Sequence, residues 1–542
     1  MSGRSPTFAP FQHPQFRLLW IATLIANLGG LIQSVAAGWV MTTLTASPGV
    51  VALVQGATTL PIMLFSLASG ALADNFDRRR IMLAAQALMM VVSAALAITV
   101  YLGLIGPALL LAFTFLIGCG VALHNPSWQA SVGDVVPRED IPAAVSLNSI
   151  GFNMMRSIGP AVGGVIVAAA GAAASFAINA VSYLPLLVAL ARWKPNYPKR
   201  DLPREGFLSA MWAGLRYTSM SPNMLIVVLR SFLFGLAAVS VLALLPVVAS
   251  VILDAGALTF GTLLGAFGVG AIVGALLNAR VRARFTNETI VRLACVVFAV
   301  CVALLGVSKV PLLSYMLLVP LGACWVLCLS LFNVTVQLST PRWVVGRALS
   351  LYQTATFGGM ALGSWVWGAG ADAYGVPLAL GGSAAVMILC AAVGLRLPLP
   401  AFSSLDLSPI DKFREPMLRL DLKARSGPIL VMVDYVIDQS NVPQFLEAMA
   451  KRRRTRIRDG ARQWTLLRDL ENPELWSESY HVPTWIEYIR HNQRRTRADL
   501  EITETLRKLH KGPERPHVHR MIERQTVSPT DDMPLKNYPE VP

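Results

Sequence analysis

Two arginines lie inside long apolar runs in the first 400 residues, where a charged side chain is unfavourable unless it has a partner. Arg156 and Arg230 each lie within a predominantly apolar run. A guanidinium at the centre of a membrane helix costs roughly 3 kcal/mol on insertion, so an arginine there indicates a partner or a ligand. Both are candidate contacts for an anionic or catecholate-like compound. The alternative is that each binds a helix carbonyl or extends to lipid headgroups.

Amide side chains occur in the same runs with a regular spacing. Asn125 and Gln129 are four residues apart, as are Asn333 and Gln337, so each pair lies on one helical face. The alternative to a cavity is that such amides bridge neighbouring helices, and His124 is interpreted as a hydrogen-bonded packing residue. The candidates for a polar cavity are Asn27, Gln33, Asn125, Gln129, Arg156, Arg230, Asn333 and Gln337.

The composition predicts that lipid surrounds most of the chain. Hydrophobic residues make up 54% and charged residues 14%, whereas soluble proteins are roughly a quarter charged. The first 400 residues hold 22 Lys+Arg and 10 Asp+Glu, and residues 401–542 hold 24 and 21. A membrane body therefore precedes a soluble tail. The six cysteines fall in apolar runs without zinc or disulfide spacing, so no metal site, cofactor or catalytic residue is predicted.

Twelve runs in the body are long enough to cross a bilayer. A crossing helix needs roughly 20 mostly apolar residues, since its backbone must bond internally. The predicted spans are 16–44, 50–72, 80–103, 108–131, 143–169, 173–192, 222–250, 257–279, 289–308, 311–337, 346–371 and 376–397. No Asp or Glu lies at the centre of any span, so the sequence identifies no carrier for a coupling ion.

The positive charges predict the orientation of the body. The loops after even-numbered spans carry sixteen Lys and Arg residues, whereas those after odd-numbered spans carry only Lys309. Positive loops stay in the cytoplasm, so both termini and the tail are expected there. The net charge of +15 lies mainly in these loops, which argues against nucleic-acid binding.

The body contains an internal repeat at a constant separation of 204 residues. Two similar six-helix halves, 1–200 and 201–400, predict a substrate site at their interface near mid-membrane and transport by rocking of one half against the other. The matched positions include Gly70, Leu72, Asp74, Arg78 and Arg80 with Gly274, Leu276, Asn278, Arg282 and Arg284, and Gly159, Gly164 and Gly171 with Gly363, Gly368 and Gly375.

The segment from Gly70 to Arg80, GALADNFDRRR, resembles the signature between spans two and three of the major facilitator superfamily. It departs from that pattern at Asp77, where glycine is commoner. The resemblance implies a gate in which an acidic residue and arginines hold the cytoplasmic side closed until the halves rock. The alternative for the arginines is simple anchoring at the membrane surface. The candidate gate residues are Gly70, Asp74, Arg78, Arg79, Arg80, Asn278 and Arg282.

A second motif, Gly159-Pro160-Ala161-Val162-Gly163-Gly164, is similar to the antiporter signature of the same superfamily, whose members mostly export. The alternative is ordinary close packing of helices. The body further resembles the enterobactin-exporter-like branch, through Pro137-Arg138-Glu139 and Arg156-Ser157-Ile158-Gly159-Pro160. This resemblance implies a bacterial inner-membrane exporter of siderophores or drugs. Another signature of the superfamily, an arginine in span four a turn before Gly118-Cys119-Gly120, is not met, because Thr114 occupies that place. Proton coupling through that position is therefore not expected.

The tail is predicted to comprise a linker at 401–426, a folded domain at 427–526 and a disordered end at 527–542. Its pattern is strand, helix (442–459), strand (462–470), strand (475–482), helix (483–511) and strand (515–524), which is the ferredoxin-like order. Through Trp476-Ser477-Glu478-Ser479-Tyr480 and Trp485, Tyr488 and His491, it resembles the dimeric α/β-barrel domains of antibiotic-biosynthesis monooxygenases, which implies self-association. An enzymatic role would depend on Trp464, Tyr480, His481 and His491; the alternative is that these side chains fill a small core.

The sequence thus favours an ion-driven exporter of amphipathic small molecules, with the proton as candidate ion. No nucleotide-binding Gly-x-x-x-x-Gly-Lys-[Ser/Thr] loop occurs, so the energy must come from a gradient. An importer of the same fold, a non-transporting sensor and a membrane-tethered protein whose tail is an enzyme or a sensor are the alternatives.

Overall fold

The computed structural model describes residues 6–194, 207–341, 343–400, 415–512 and 514–523. The chain divides into two compact units. The first comprises Met1–Met211, Asn223–Val336 and Leu349–Ala401. The second comprises Trp212–Pro222, Gln337–Ala348 and Phe402–Pro542, so two short segments of the body group with the tail.

Long helices make up the first unit, as its apolar runs predict. They are α1 (Pro14–Leu44), α2 (Pro48–Asn75), α3 (Arg78–Tyr101), α4 (Pro107–Val135), α5 (Ile141–Arg192), α7 (Pro222–Val247), α8 (Ala257–Arg284), α9 (Asn287–Val307), α10 (Pro311–Leu338), α11 (Val345–Tyr374) and α12 (Val376–Arg396). The short helix α6 (Phe207–Ser219) lies between α5 and α7 in the chain, and most of it belongs to the second unit. Within the described residues, ten helices are long and apolar enough to cross a membrane by length and composition. Because α5 supplies two spans and α11 another, the twelve predicted spans are confirmed.

The break in the 52-residue helix α5 is a single glycine. Gly171 has a φ of +79°, a left-handed conformation that costs a residue with a Cβ atom free energy. No heavy atom lies within 4 Å of a Cβ placed there, so conformation rather than space requires glycine. This residue separates spans five and six where the sequence predicts the turn.

The repeat appears in the packing within each half. A Cβ atom placed on Gly159 of α5 would lie 2.8 Å from the Cβ of Leu31 in α1. A Cβ atom on Gly363 of α11 would meet the carbonyl oxygen of Leu236 in α7. These glycines are 204 residues apart and let equivalent helix pairs touch at the backbone.

The contacts between the halves follow the same symmetry. A Cβ on Gly164 of α5 would lie 2.9 Å from the Cα of Gly261 in α8, and one on Gly368 of α11 would lie 3.0 Å from the Cα of Gly49 in α2. Each contact joins a helix of one half to a helix of the other. The predicted fold of two six-helix pseudo-repeats is therefore confirmed.

The second unit contains a four-stranded antiparallel sheet in the order β2-β3-β1-β4. Its elements are β1 (Ile429–Val436), α13 (Val442–Asp459), β2 (Arg462–Arg468), β3 (Leu475–Val482), α14 (Trp485–Gln493), α15 (Arg497–Leu509) and β4 (His517–Ile522). The predicted ferredoxin-like domain is confirmed. Alternate residues of β1 are buried against helix side chains such as Phe445 and Met449, as a strand with one covered face requires.

The single helix predicted over 483–511 is wrong, because the chain makes two helices there. Thr496 and Asp499 form a capping box in which the Asp499 carboxylate accepts from the backbone N–H of Thr496 at 2.9 Å. Such a cap supplies partners for the first N–H groups of a new helix. The predicted linker lies largely outside the described residues, and the predicted disordered end, 527–542, lies wholly outside them.

Candidate functional site

Arg156 is a charged residue that the structure places at the interface between the halves. It lies on α5, and its guanidinium carbon is 5.7 Å from the ring centroids of both Phe267 on α8 and Trp325 on α10. The first half therefore contributes the cation and the second half the rings. Among the described residues, no carboxylate pairs with this guanidinium. A half-buried cation held by ring faces alone retains its hydrogen-bonding capacity for a ligand.

The rings beside Arg156 belong to a larger aromatic cluster in the second half. Phe234 lies 6.2 Å from Trp325, and it also contacts Phe298 and Phe332. The indole Nε1 of Trp325 is buried and has no hydrogen-bond partner among the described atoms. An unsatisfied donor next to a cation suits an acceptor-rich ligand. The arrangement offers a positive charge, an N–H donor and ring faces, which is the chemistry that binds an anionic aromatic compound.

Arg230 has a different environment from Arg156. It is fully buried in α7, and its Nη1 donates to the Oε2 atom of Glu288 in the first turn of α9. The backbone N–H of Leu399 donates to the same oxygen at 2.9 Å. This ion pair joins helices of the second half, so the structure does not bring the two predicted arginines together. The sequence reasoning missed Glu288 because it considered only acids at the centres of spans.

Gln33 belongs to a buried network within the first half. Its side-chain oxygen accepts from Ser93 Oγ on α3 at 2.9 Å and from Asn179 Nδ2 on α5. Asn179 also donates to the Tyr183 hydroxyl at 3.2 Å. This geometry matches the bridging alternative rather than a cavity.

The other amides remain predictions. Asn125 and Gln129 are both exposed on α4, as their spacing predicts, whereas Asn27 and Asn333 are half-buried. Gln337 is exposed and belongs to the second unit. His124 contacts Gln86 on α3 at 3.2 Å, in agreement with its interpretation as a hydrogen-bonded packing residue.

The arginines of the signature segment hold helix ends together. Arg78 Nη1 donates to Asp134 Oδ2 at 2.9 Å and to the carbonyl of Ala130 at 2.8 Å, which joins α3 to α4. Arg79 Nε donates to the carbonyl of Leu190 at 2.8 Å near the end of α5, and Arg80 is exposed. These contacts lie within one half.

The unusual Asp77 in this segment has a structural role. Its carboxylate accepts from the backbone N–H of Arg79 at 2.9 Å and caps α3. In the second copy, Asn278 Nδ2 donates to Ser330 Oγ at 3.0 Å, and Arg282 is half-buried. Gly70 lies in α2, but the side chain of Asp74 lies outside what the structure describes, so the gate stays a prediction.

A second contact between the halves involves a residue that the sequence reasoning missed. Asp372, near the end of α11, accepts from Ser47 Oγ at 2.9 Å and from the backbone N–H of Gly49 at 3.1 Å. Ser47 and Gly49 begin α2, so a carboxylate from one half occupies the N-terminus of a helix from the other. Near the opposite end of α2, Ser66 Oγ lies 2.8 Å from Thr354 Oγ1 of α11.

The antiporter-like motif packs against both halves. Gly159 and Gly163 face α1, where a Cβ on Gly163 would lie 3.0 Å from the Cα of Ile32. Pro160 and Gly164 face α8, since a Cβ on Gly261 would lie 2.6 Å from the Pro160 carbonyl oxygen. The motif therefore sets the distance at which the halves meet.

Of the four tail residues considered for catalysis, Trp464, Tyr480 and His491 lie in the interior of the domain near the buried Glu478, and His481 does not. Trp464 Nε1 donates to Glu478 at 3.1 Å, and His491 lies 3.1 Å from an Arg456 nitrogen. Burial and the neighbouring arginine lower the pKa of His491 well below its usual value, so the ring is neutral. Tyr480 packs against His491, whereas His481 points to the other face of β3. No cluster of potential metal ligands occurs among the described residues.

Comparisons with known proteins establish the family. The model of the transmembrane secretion effector family matches residues 5–527. The chain belongs to this family. Its membrane body therefore has the major facilitator fold, and the family is one of transporters rather than enzymes.

Characterised relatives cover most of the body. The multidrug efflux pump Tap of Mycobacterium tuberculosis is 26% identical over an alignment of 440 residues, and this alignment covers 75% of this chain and 96% of the relative. The enterobactin exporter EntS of Shigella boydii is 25% identical and spans 71% of this chain and 92% of its own length. The staphyloferrin A transporter of Staphylococcus aureus is 25% identical over 66% and 89%, respectively.

Solved structures support the same fold at low identity. The POT family transporter PepTSo has a TM-score of 0.60 at 13% identity, covering 71% of this chain and 97% of that structure. The bacterial Spinster homologue in its inward-facing, unoccupied conformation has a TM-score of 0.55 at 12% identity, covering 72% and 96%. These likenesses establish the fold and not the substrate.

Proposed function

We propose that the protein is a secondary transporter that exports anionic, aromatic small molecules, such as catecholate siderophores and acidic drugs, by alternating access. The observation that carries the proposal is Arg156, which contacts Phe267 and Trp325 across the interface of the halves. A cation at a moving interface can hold an anion in one state and release it in the other. The relatives named as exporters of drugs and siderophores support the direction.

The location follows from the same family. We place the protein in the bacterial cytoplasmic membrane with both termini in the cytoplasm, on the basis of the positive loops. The partners are then the lipid bilayer, the substrate and a coupling ion, for which the proton is the candidate. Exposed residues along β2, at the edge of the sheet, support self-association through the tail, because an edge strand has unpaired backbone groups.

Transport by everted membrane vesicles, in which the cytoplasmic side faces outward, tests both the substrate and the direction of transport. The Arg156→Gln variant should take up an iron-free catecholate siderophore roughly 10-fold more slowly or worse, because hydrogen bonds to a charged group are worth about 1.5–3 kcal/mol. Arg156→Lys keeps the charge and should retain more activity. Arg280→Gln, an exposed position on α8, is the matched control and should transport normally.

Two outcomes would refute the proposal. Equal flux in the Arg156→Gln and Arg280→Gln vesicles would remove Arg156 from substrate binding. Uptake only in right-side-out vesicles would show that the protein is an importer of the same fold.

A further inference from the structure

The C-terminal domain contains a cavity of about 680 Å³ between its sheet and helices. Ligand pockets in proteins commonly measure roughly 300–1,000 Å³. Tyr435, Tyr480 and Tyr488 supply aromatic walls, and Glu504 is the one acidic residue among the described lining residues. The basic lining residues are Arg452, Arg456, Arg495, Arg507, Arg515 and Arg520.

Two of these arginines share one buried carboxylate. Arg452 Nε and Arg456 Nε donate to the two oxygens of Glu478 at 2.8 and 3.1 Å. Glu478 is completely buried, and although burial opposes its ionisation, the two arginines hold its pKa at about 2. The single negative charge of Glu478 thus offsets only one of the two arginine charges. The remaining excess is positive and faces the cavity.

Arg495 adds a charge with a neutral partner. Its Nη2 donates to the Thr503 hydroxyl at 3.0 Å. Burial and the nearby Arg456 and Arg452 lower its pKa to about 10, so it is still protonated at neutral pH. Three like charges brought together at low dielectric repel one another, and an anion between them would relieve that repulsion.

The tyrosines make the cavity suited to a ring as well as to a charge. The Arg456 guanidinium lies 4.6 Å from the Tyr480 ring centroid, and Arg520 Nε donates to the Tyr488 hydroxyl at 2.6 Å. Planar guanidinium groups bind carboxylates through two parallel hydrogen bonds, and aromatic walls stack on flat ligands. We propose that this cavity binds an anionic aromatic small molecule, and that its occupancy is transmitted to the two connecting segments that group with the domain.

Few contacts separate the cavity residues from the two connecting segments. Arg494, which adjoins the cavity residue Arg495, lies 4.4 Å from the ring centroid of Trp343. Arg458, two residues after Arg456, lies 5.4 Å from the ring centroid of Tyr217. Tyr217 and Trp343 contact each other edge to face, with centroids 5.8 Å apart. In the sequence, Tyr217 leads into α7 and Trp343 into α11. The inference stands on the domain itself and does not require Arg156 to bind substrate.

The binding experiment uses the full-length protein in detergent micelles and titration calorimetry with 1-naphthoate. Binding should weaken at least 10-fold in the Arg495→Gln/Arg507→Gln double variant. Lys508→Gln removes a charge from the same helix outside the cavity and should bind like the wild type. All of these titrations are made in the Arg156→Gln background, so that the proposed transport site does not contribute to the measured binding. The uncharged analogue 1-naphthalenemethanol should not compete.

The transmission experiment measures backbone hydrogen exchange with and without 1-naphthoate. Residues 212–219 and 343–348 should become more protected in the wild type. In Trp343→Ala, 1-naphthoate should still bind, but the added protection of 343–348 should be lost, because this variant removes the ring that Arg494 contacts. Unchanged exchange in β1 and β3 verifies that each variant is folded. The proposal is overturned if the double variant binds 1-naphthoate normally, if the alcohol competes equally, or if bound 1-naphthoate leaves exchange in the two segments unchanged.

Discussion

At the scale of single residues, the two intramembrane arginines show how local partners decide function. Arg230 is enclosed and neutralised by Glu288, whereas Arg156 contacts ring faces and has no carboxylate partner among the described residues. The ion pair stabilises helix packing, because each buried charge needs the other. The charge of Arg156 is left for a ligand. Both residues look alike in the sequence, where each is an arginine in an apolar run.

Replacing Glu288 with Gln should destabilise the protein. The change leaves the Arg230 guanidinium buried without a counter-charge, and breaking a buried pair in this way costs about 3–5 kcal/mol. The measurement is thermal unfolding of the purified protein in detergent, with the exposed Glu139→Gln as the control. An unchanged midpoint in Glu288→Gln would show that the ion pair does not stabilise the fold.

Replacing Asp372 with Asn should loosen the start of α2. The carboxylate caps this helix from the other half, and loss of a charged cap costs about 0.5–2 kcal/mol. Backbone hydrogen exchange at residues 49–52 should therefore accelerate by about 2-fold to 30-fold. Asp254→Asn, in the loop after α7, is the control. Equal exchange in both variants would contradict a role for Asp372 at this junction.

At the scale of elements, glycines determine which helices can touch. The 204-residue offset pairs Gly164 with Gly368, and each lies where a helix of one half crosses a helix of the other. The repeat could be read from the sequence because duplication leaves residue identities at a constant separation. The partners of each glycine could not, since they depend on the crossing of distant helices.

Replacing Gly164 with Val should separate α5 from α8 and reduce both stability and transport. A Cβ at this position would lie 2.9 Å from the Cα of Gly261, a backbone atom that cannot rotate away. Overpacking of this kind costs about 1–3 kcal/mol. Gly30→Ala, where a Cβ meets nothing within 4 Å, is the control and should be neutral. Both variants are measured by vesicle transport and by thermal unfolding. Transport and an unfolding midpoint equal to the wild type in Gly164→Val would refute the close crossing of α5 and α8.

The elements of the tail were predicted in order and type, with one exception. The strands and the helix at Val442–Asp459 follow the hydrophobic pattern, which adjacent residues determine. The region 483–511 reads as one helix because residues 494–496 carry no Gly or Pro. The capping box at Thr496 and Asp499 ends that continuity. Its effect depends on the three-dimensional position of a side chain, which the periodicity does not report.

At the scale of the whole molecule, alternating access requires that the halves separate at one end while they close at the other. Ser66 and Thr354 lie on α2 and α11, in different halves, with their hydroxyl oxygens 2.8 Å apart. Ser240 and Ser383 lie on α7 and α12 of the same half, 2.7 Å apart. The two pairs have matched geometry and differ in whether relative motion of the halves would separate them.

Crosslinking these pairs tests the motion directly. In a background without the six native cysteines, oxidation of Ser66→Cys/Thr354→Cys should stop transport, and a reductant should restore it. The Ser240→Cys/Ser383→Cys pair should also crosslink but leave transport largely intact. Full transport by the oxidised Ser66→Cys/Thr354→Cys protein would show that α2 and α11 need not move apart at this point.

The sequence by itself determined that lipid surrounds the body, how many spans the body has, that its halves are duplicated and that the tail is ferredoxin-like. Each of these follows from composition or from a regular spacing. Lipid requires apolar side chains along the whole length of a span, and a strand with one covered face requires apolar side chains at alternate positions. The signature motifs also lie in the sequence, and they indicate the superfamily.

Only the tertiary structure decided what the polar residues contact. It assigned Arg156 to the interface of the halves, Arg230 to an ion pair, Gln33 to a buried network and Asp372 to a contact between helices of different halves. It also gathered arginines from strands and helices of the tail around one cavity. Burial and charge pairing depend on residues that are far apart in the chain, and no local pattern encodes which of them will meet.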